Sequence, residues 1–383
     1  MKTKIAVIAS SRASYGYKRG VIRGIHESTK LELQLIVTGM HLLREHGYSI
    51  NEIKNDGFPI ATTVEMTVAG DTPSAWVKSL GVEMMSLAQV FSALAPDLVL
   101  VTGDRGEMLT ASIAAAYMNI PVAHIQAGDV SGHIDGSARH AITKMCHLHF
   151  ASCDDSARRV ERLGEEPWRI FNVGAPQLDT LAEVAVLDRD ELAKHFDFDF
   201  GKPVIVVIQH PVLQEIDDTR HQIVETMEAI KSLGLQTVVI YPNNDAGGRI
   251  IIDAIRDYEP LPFVRTSRNL DRVVLVNLLR NAAALVGNSS AGVLEGPFLK
   301  LPAVNIGTRQ TGRLQSTNVI NVSHARDQIA AAVRQAVFDE TFRESVRNCV
   351  NPYGDGKSAA RIVKVLEDHG ASRERLLDKR LTY

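Results

Sequence analysis

The stretch "DLVLVTGDRGEMLTASIAAAYMNIPVAHIQAGD", Asp97–Asp129, contains two short apolar runs that end in polar loops and enclose a helix-like segment. Runs that are apolar without alternation are typical of strands buried on both faces of a parallel sheet. The strand–helix–strand order is the βαβ unit from which such sheets are built. This stretch therefore predicts an α/β protein with helices on both faces of a parallel sheet.

The same alternation continues along the chain on both sides of a more charged segment around residues 176–202. Further strand candidates are "KIAVIAS", "LQLIVTG", "LHFASC" and "IFNVG" before this segment, and "PVIVVIQHP", "TVVIYPNND", "AALVGNSS", "PAVNIG" and "VINVS" after it. We expect two doubly wound, Rossmann-like domains at 1–180 and 181–365, followed by a polar helical end at 366–383. Ligands of such sheets bind outside the carboxyl ends of the strands, so the sequence predicts an active-site cleft between the two domains.

The composition excludes several classes of partner. The chain has 383 residues, of which 45% are hydrophobic and 23% charged, with a net charge of −3. This predicts a soluble protein that binds neither nucleic acid nor anionic membranes. Cys146, Cys153 and Cys349 show no CxxC spacing, which favours reduced thiols and a cytoplasmic location. The N-terminal apolar run is too short for a signal peptide and predicts a first strand.

The loop "GNSSAGVLEG" follows a predicted strand and opens a helix-like segment. Backbone N–H groups at a helix start, together with the hydroxyls of Ser289 and Ser290, are suited to a phosphate. Glu295 can accept hydrogen bonds from a diol such as ribose. The alternative is that Asn288 and the serines only cap the helix.

Arg12 stands in the first loop, "IASSRASYG", where dinucleotide-binding folds carry glycines. The loop has no GxGxxG pattern, so the sequence does not favour NAD. An arginine at this position suits a phosphate bound by a side chain. The alternative is a surface arginine paired with a nearby acid.

Acidic residues gather after two neighbouring strand candidates. Asp104, Arg105 and Glu107 follow the first, and Asp129, Asp135 and Arg139 follow the second. Carboxylates at adjoining strand ends repel each other and are used for proton transfer or for stabilising positive charge. The alternative is a set of helix caps and turn residues.

The histidines give weaker signals. His147 and His149 alternate on a predicted strand but have no third metal ligand at suitable spacing. His210 and His41 each follow a strand, and His210 is the better placed of the two. The sequence lacks a GxSxG elbow, a Walker loop and HExxH, so we expect no metal and no cofactor. Acid–base chemistry on a phosphorylated small molecule is the reaction class predicted.

Eight motifs occur in a fixed order along the chain: "SRASYG", "VTGMH", "GDRGE", "SGHIDGSARHAITK", "QHPV", "PNNDAGG", "GNSSAGVLE" and "NIGTRQTGR". Together this set resembles the hydrolysing UDP-N-acetylglucosamine 2-epimerases of the sialic-acid branch. The resemblance runs from about residue 3 to 365. The sialic-acid branch includes the epimerase half of the bifunctional epimerase/N-acetylmannosamine kinase. It implies a glycosyltransferase-B fold and a homodimer or homotetramer.

The resemblance also implies residue roles. Nucleotide contacts would come from Arg12, Arg105, His210, Asn243, Ser289, Ser290, Glu295 and Arg309, with Arg139 and Arg313 completing the binding set. Asp104, Asp129 and Asp135 would form the acid–base set, with His210 beside the diphosphate or acting as the acid. The implied reaction breaks the C1–O bond, removes the C2 proton to form a glycal, and adds water to give N-acetylmannosamine.

One position departs from the family pattern. Gln126 stands where the epimerase/kinase relatives have a glutamate, which shifts the expected acid work to Asp129. The substrate could therefore be a UDP- or GDP-linked 2,4-diacetamido-2,4,6-trideoxyglucose of the legionaminic acid pathway instead of UDP-N-acetylglucosamine. A glycosyltransferase of the same fold and a silent nucleotide-sugar sensor are the remaining alternatives; acceptor dependence would identify the first, and binding without turnover the second.

Overall fold

The computed structural model describes residues 2–44, 48–70, 72–130, 133–242, 247–268 and 270–382, apart from the side chains at 12, 13, 133–135 and 213. Within this part of the chain two compact units separate. One consists of Met1–Ala182 with Tyr353–Tyr383, and the other of Glu183–Pro352.

Strands and helices alternate along both units. The strands are β1 Thr3–Ala9, β2 Leu31–Thr38, β3 Ile60–Val64, β4 Leu98–Thr102, β5 Val122–Ile125, β6 Leu148–Ala151, β7 Ile170–Asn172, β8 Val204–Ile208, β9 Gln236–Ile240, β10 Val264–Ser267, β11 Ala284–Gly287, β12 Ala303–Ile306 and β13 Val319–Val322. The helices are α1 Arg12–Glu27, α2 Ile50–Asn55, α3 Pro73–Leu94, α4 Gly106–Tyr117, α5 His133–Met145, α6 Asp154–Arg162, α7 Gln177–Glu183, α8 Arg189–Phe196, α9 Thr219–Leu233, α10 Gly248–Arg256, α11 Arg272–Asn281, α12 Ala291–Leu294, α13 Gly296–Leu299, α14 Arg326–Phe338, α15 Glu340–Arg347, α16 Ser358–His369 and α17 Arg373–Leu377. Across the described ranges, no helix combines the length and the apolar character needed to cross a bilayer.

Both sheets have the strand order of a dinucleotide-binding fold. The first runs β3-β2-β1-β4-β5-β6-β7 and the second β10-β9-β8-β11-β12-β13, with parallel pairing between neighbours. The order reverses between β1 and β4 in the first sheet and between β8 and β11 in the second, which is where ligands of such sheets bind. The predicted pair of Rossmann-like α/β domains is confirmed.

Each sheet is covered on both faces because successive strand residues point to opposite sides. In β1, Ile5 and Val7 pack in one core with α1 and α16, whereas Ala6 and Ile8 pack in another with α3 and α4. In β8, residues 205 and 207 face one core and residues 204, 206 and 208 the other. This two-sided burial explains why the strands are continuously apolar.

Two edge strands are absent from the apolar runs found in the sequence. β3 and β10 each lie at the first edge of their sheet, with burial that alternates or is partial. Their sequences, "IATTV" and "VRTS", carry polar residues because one side of an edge strand remains accessible.

The carboxyl-terminal segment packs on the first unit, whereas the sequence-based division placed residues 353–365 in the second domain and 366–383 apart. Ile362, Leu366 and Leu376 lie in the core beside β1 and α1. The buried Arg169 donates to the carbonyls of Leu376 and Asp378, both at 2.8 Å. Apolar residues among the charges of α16 and α17 therefore complete the first core.

Candidate active site

The second unit places His210 and Asn288 where its strand order reverses. β8 ends two residues before His210, and β11 ends directly before Asn288. The Asn288 amide holds the backbone of His210: Oδ1 accepts from His210 N at 2.7 Å, and Nδ2 donates to His210 O at 2.8 Å. His210 is thus fixed beside the loop that carries Ser289 and Ser290.

Ser289 and Ser290 are partly buried and precede a short helix. Ser289 Oγ accepts from Ala291 N at 3.3 Å, as the capping alternative requires, while Ser290 makes no side-chain cap bond among the described residues. The sequence predicts one helix here, but α12 ends at Leu294 and α13 begins two residues later. Pro297 explains the break because it lacks the N–H that would continue the first helix.

Glu295 lies between these two short helices. Burial raises the pKa of its carboxyl group, and the charge of Arg272 at the start of α11 acts in the opposite direction. A carboxylate in this setting is stabilised by hydrogen bonds donated to it, which the hydroxyls of a ribose can supply. Arg272 was not among the predicted residues.

The loop after β12 brings Arg309 to Asn288. Arg309 Nη1 donates to Asn288 O at 3.2 Å, and the buried Gln310 donates through Nε2 to the same oxygen at 2.8 Å. Arg313 follows in a turn, with its N–H donating to Gln310 O at 3.2 Å. The predicted Asn243 lies outside the described residues.

A polar group next to this loop was missed in the sequence. Thr308 Oγ1 and Gln222 Nε2 both donate to the carboxylate of Glu215, and His324 Nε2 lies 3.9 Å from Glu215 Oε2. Thr308 and His324 each come two residues after a strand, β12 or β13. The strand-end rule that found His210 would have found them as well.

In the first unit, Arg139 joins the loops after β4 and β5. This buried guanidinium donates through Nη2 to Asp104 Oδ2 and through Nη1 to Gln126 O at 2.8 Å. Gln126 has a φ of 64°, in the left-handed region that residues with side chains seldom adopt. Two predicted residues, Asp104 and Arg139, are therefore in direct contact.

Arg105 is oriented by Glu107, whose side chain is fully buried. Arg105 Nη2 donates to Glu107 Oε1 at 3.0 Å, and Nε lies 3.2 and 3.3 Å from the two carboxylate oxygens. Lys18 is also fully buried and donates to Ile8 O. Burial lowers the pKa of Lys18 to about 7, while the charge of Glu107 acts to raise it.

Asp129 is held by residues that follow β6. Its Oδ1 accepts from Ser156 Oγ at 2.7 Å and its Oδ2 from Ser152 Oγ at 2.9 Å. Asp104 and Asp129 thus each have their own partners. The side chains of Asp135 and Arg12 lie outside the described part of the chain, although their backbones belong to α5 and to the first position of α1.

Three other histidines, which follow, directly precede or belong to a strand, have structural partners. His149 Nε2 lies 2.9 Å from Glu165 Oε2, His147 Nδ1 accepts from Val122 N at 3.1 Å, and His41 Nδ1 lies 2.8 Å from Ser49 Oγ. Burial lowers the pKa of His147 to about 4. Where side chains are described, no three His, Cys, Asp or Glu residues form a group that could hold a metal ion.

Two curated relatives are similar to most of this chain. The chain is 38% identical over 367 residues to the UDP-N,N′-diacetylbacillosamine 2-epimerase (hydrolyzing) of Legionella pneumophila, covering 96% of each chain. It is 32% identical to the GDP/UDP-N,N′-diacetylbacillosamine 2-epimerase (hydrolyzing) of Campylobacter jejuni, covering 84% of each.

A solved structure has the same fold. The UDP-GlcNAc 2-epimerase of Neisseria meningitidis bound to UDP-GlcNAc superimposes with a TM-score of 0.81 at 18% identity, over 96% of this chain and 100% of that one. Residues 23–367 match the family described as UDP-N-acetylglucosamine 2-epimerase. By this match and by the identity to the two relatives, the chain belongs to the UDP-N-acetylglucosamine 2-epimerase family.

Proposed function

We propose that the protein is a hydrolysing 2-epimerase whose substrate is UDP-N,N′-diacetylbacillosamine, a 2,4-diacetamido-2,4,6-trideoxyglucose nucleotide. The observation that carries this proposal is the identity to the Legionella pneumophila enzyme along almost the whole chain. The sequence predicts UDP-N-acetylglucosamine first and the diacetamido sugar as its alternative. The named relatives favour that alternative, so it becomes the main proposal.

The second unit would bind the leaving nucleotide. Ser289 and Ser290 offer hydroxyls and Arg309 a cation to the diphosphate, with His210 held beside them by Asn288. Glu295 would accept hydrogen bonds from the ribose. Asn243 and Arg313 remain members of the proposed nucleotide set. Stabilising the departing diphosphate lowers the barrier to breaking the C1–O bond.

The first unit would bind the sugar, with Asp104 as the principal acid–base group, while Arg12 and Arg105 would contact the nucleotide and Arg139 would complete the binding set. As the C1–O bond breaks, C1 becomes cation-like and the C2 proton becomes acidic. A carboxylate then stabilises the charge and accepts that proton, giving the glycal and free UDP. Water adds across the double bond, its proton returning to C2 from the opposite face, and the free sugar leaves with C2 inverted.

Asp129 and Asp135 remain in the proposed acid–base set, but Asp104 is its principal member. Asp129 follows β5, one strand further from the point where the strand order reverses, and both of its oxygens accept hydrogen bonds from serines. Asp104 follows β4, directly beside that point, where ligands of such sheets bind, and contacts Arg139 of the proposed binding set. We therefore assign the C2 proton to Asp104.

The proposal includes association with a second copy of the chain and a cytoplasmic location. Trp76, Val77 and Met85 of α3 and Tyr117 of α4 are 44%, 66%, 67% and 83% exposed, and Lys78 is the only charge on the exposed side of α3. Exposed apolar side chains of this size favour an interface between subunits. The three cysteines are free and buried, as in proteins of a reducing compartment.

Proton and phosphorus NMR in D2O would test the function, with UDP-N,N′-diacetylbacillosamine and UDP-N-acetylglucosamine in parallel samples without acceptor. We expect UDP and a 2,4-diacetamido-2,4,6-trideoxymannose deuterated at C2, with much slower turnover of UDP-N-acetylglucosamine. Faster turnover of UDP-N-acetylglucosamine would reverse the substrate assignment. Conversion only after addition of a sugar acceptor would identify a glycosyltransferase instead.

A further inference from the structure

Asn288 connects three loops at the carboxyl edge of the second sheet. We infer that it is a positioning residue for the epimerisation proposed above, on which this inference rests. It holds His210 and Arg309 at a set distance from the two serines that follow it in the chain. It touches the candidate groups but needs no contact with the substrate itself.

The place of Asn288 in the sheet explains its reach. β11 lies between β8 and β12, so the residue after it adjoins the loops that carry His210 and Arg309. The backbones of β8 and β11 approach closely here, because a Cβ added to Gly287 would lie 2.1 Å from Ile208 O. Asn288 N donates to the same oxygen at 3.2 Å, and the residue is only 1% exposed.

The side-chain contact requires an amide in particular. His210 presents one N–H and one C=O to Asn288, and the amide satisfies both with one acceptor and one donor. Aspartate has the same shape but cannot donate, so a negative carboxylate oxygen would face His210 O. Leucine could supply neither the acceptor for His210 N nor the donor for His210 O.

The backbone carbonyl of Asn288 extends the arrangement to the loop after β12. It accepts from Arg309 Nη1 and Gln310 Nε2, so two side chains of that loop depend on where this peptide lies. The next two residues are Ser289 and Ser290. Displacing Asn288 would therefore move the histidine, the arginine and both hydroxyls relative to each other.

The test begins with Asn288→Asp and a matched control, Asn305→Asp. Asn305 lies on β12 of the same sheet, is 6% exposed, and donates to Asn321 Oδ1 at 2.8 Å. We expect both variants to lower the melting temperature by a similar amount, since each places a carboxylate at a buried amide position. Only Asn288→Asp should lower kcat, by about 100-fold or more, as a displacement near 1 Å does. A normal kcat in Asn288→Asp would overturn the inference.

A double-mutant cycle with His210→Gln separates positioning from a general loss of structure. Because Asn288 acts partly through His210, adding Asn288→Asp to His210→Gln should lower kcat by clearly less than the about 100-fold expected in the wild-type background. Losses that multiply in the double variant would overturn the inference.

Calorimetry with UDP alone distinguishes failure of this inference from failure of the proposed function. We expect Asn288→Asp to weaken UDP binding in the wild-type background but much less in Arg309→Ala. If this coupling is found but the wild-type protein turns over neither sugar nucleotide, the positioning role stands and the proposed substrate is overturned. If the wild-type protein turns over its substrate but Asn288→Asp binds UDP unchanged, the positioning role alone is overturned. Absence of UDP binding by the wild type would overturn both.

Discussion

Asp104 is the carboxylate to which we assign the C2 proton. Asp104→Asn should therefore abolish turnover without weakening nucleotide binding. The amide cannot accept the C2 proton, and most of the groups assigned to UDP, among them Ser289, Ser290 and Arg309, belong to the second unit. We expect kcat to fall by at least about 100-fold. Steady-state kinetics would measure kcat, and calorimetry would show whether the affinity for UDP stays within about threefold of wild type.

Asp97→Asn is the matched control. Asp97 directly precedes β4, the strand that Asp104 follows, and its Oδ2 accepts a hydrogen bond from Lys4 N at 2.8 Å. Asparagine can accept the same bond, so this variant should keep wild-type turnover. Full activity of Asp104→Asn would remove Asp104 from the acid–base set.

Glu83 predicts a dependence of stability on pH. Its side chain is fully buried, its Oε2 accepts from Thr110 Oγ1, and burial raises its pKa to about 8. Between pH 4.5 and 8 the folded protein keeps a proton that the unfolded chain releases. The contribution of this group to the free energy of unfolding therefore falls as pH rises, by about 1.4 kcal/mol per pH unit in that window.

Glu83→Gln should remove this contribution. Urea unfolding of both proteins between pH 5 and 8 would measure the difference in stability, which we expect to move steadily in favour of the glutamine variant as pH rises. Taking the difference removes the contributions of the other titrating groups. A difference that stays constant across the range would mean that Glu83 is ionised in the folded protein.

At this scale the sequence predicts where polar residues lie better than what they contact. The parallel-sheet rule places Asp104, Asp129, His210 and Ser289 at carboxyl strand ends, as observed. The contact between Arg139 and Asp104 depends on how α5 lies on the sheet, which spacing in the chain does not specify. The serine partners of Asp129 come from a later loop for the same reason.

At the scale of elements, Gly287 decides how β8 and β11 meet. It has a φ of 125°, and a Cβ there would overlap Ile208 O. Gly287→Ala should lower the free energy of unfolding by roughly 2–5 kcal/mol, from strain and overlap together. Chemical denaturation would measure it.

Gly16→Ala gives the opposite expectation and serves as the control. Gly16 lies inside α1, and a Cβ there would meet no described atom within 4 Å apart from the backbone of its own helix. Alanine should raise stability by about 1 kcal/mol through helix propensity. Equal effects of the two substitutions would contradict the account of Gly287.

The sequence predicts strands well where both faces of the sheet are buried. It predicts less well the edge strands of each sheet and the point where a helix is interrupted. The apolar runs identify the central strands, but β3 and β10 carry too few apolar residues to stand out. Proline at 297 divides a segment that otherwise reads as one helix. Each miss occurs where a local constraint interrupts the periodic pattern.

At the scale of the whole molecule, the exposed residues of α3 and α4 predict self-association. Met85→Lys places a charge among these exposed apolar side chains and should shift the protein toward the monomer. Light scattering coupled to size-exclusion chromatography would measure the mass. Ile250→Lys on α10, where Ile250 is 37% exposed, is the control and should leave the mass unchanged. A monomeric wild-type protein would contradict the expectation.

The chain returns to its first unit after the second unit has been made. This determines the order in which the two units can finish folding during synthesis. The second unit is one continuous segment, Glu183–Pro352, and all of it precedes the last residues of the first. Domains fold as units while the ribosome delivers about 5–20 residues each second. Ile362, Leu366 and Leu376, and the carbonyls that Arg169 binds, emerge only after the whole second unit. The unit whose translation begins first therefore finishes folding after the other.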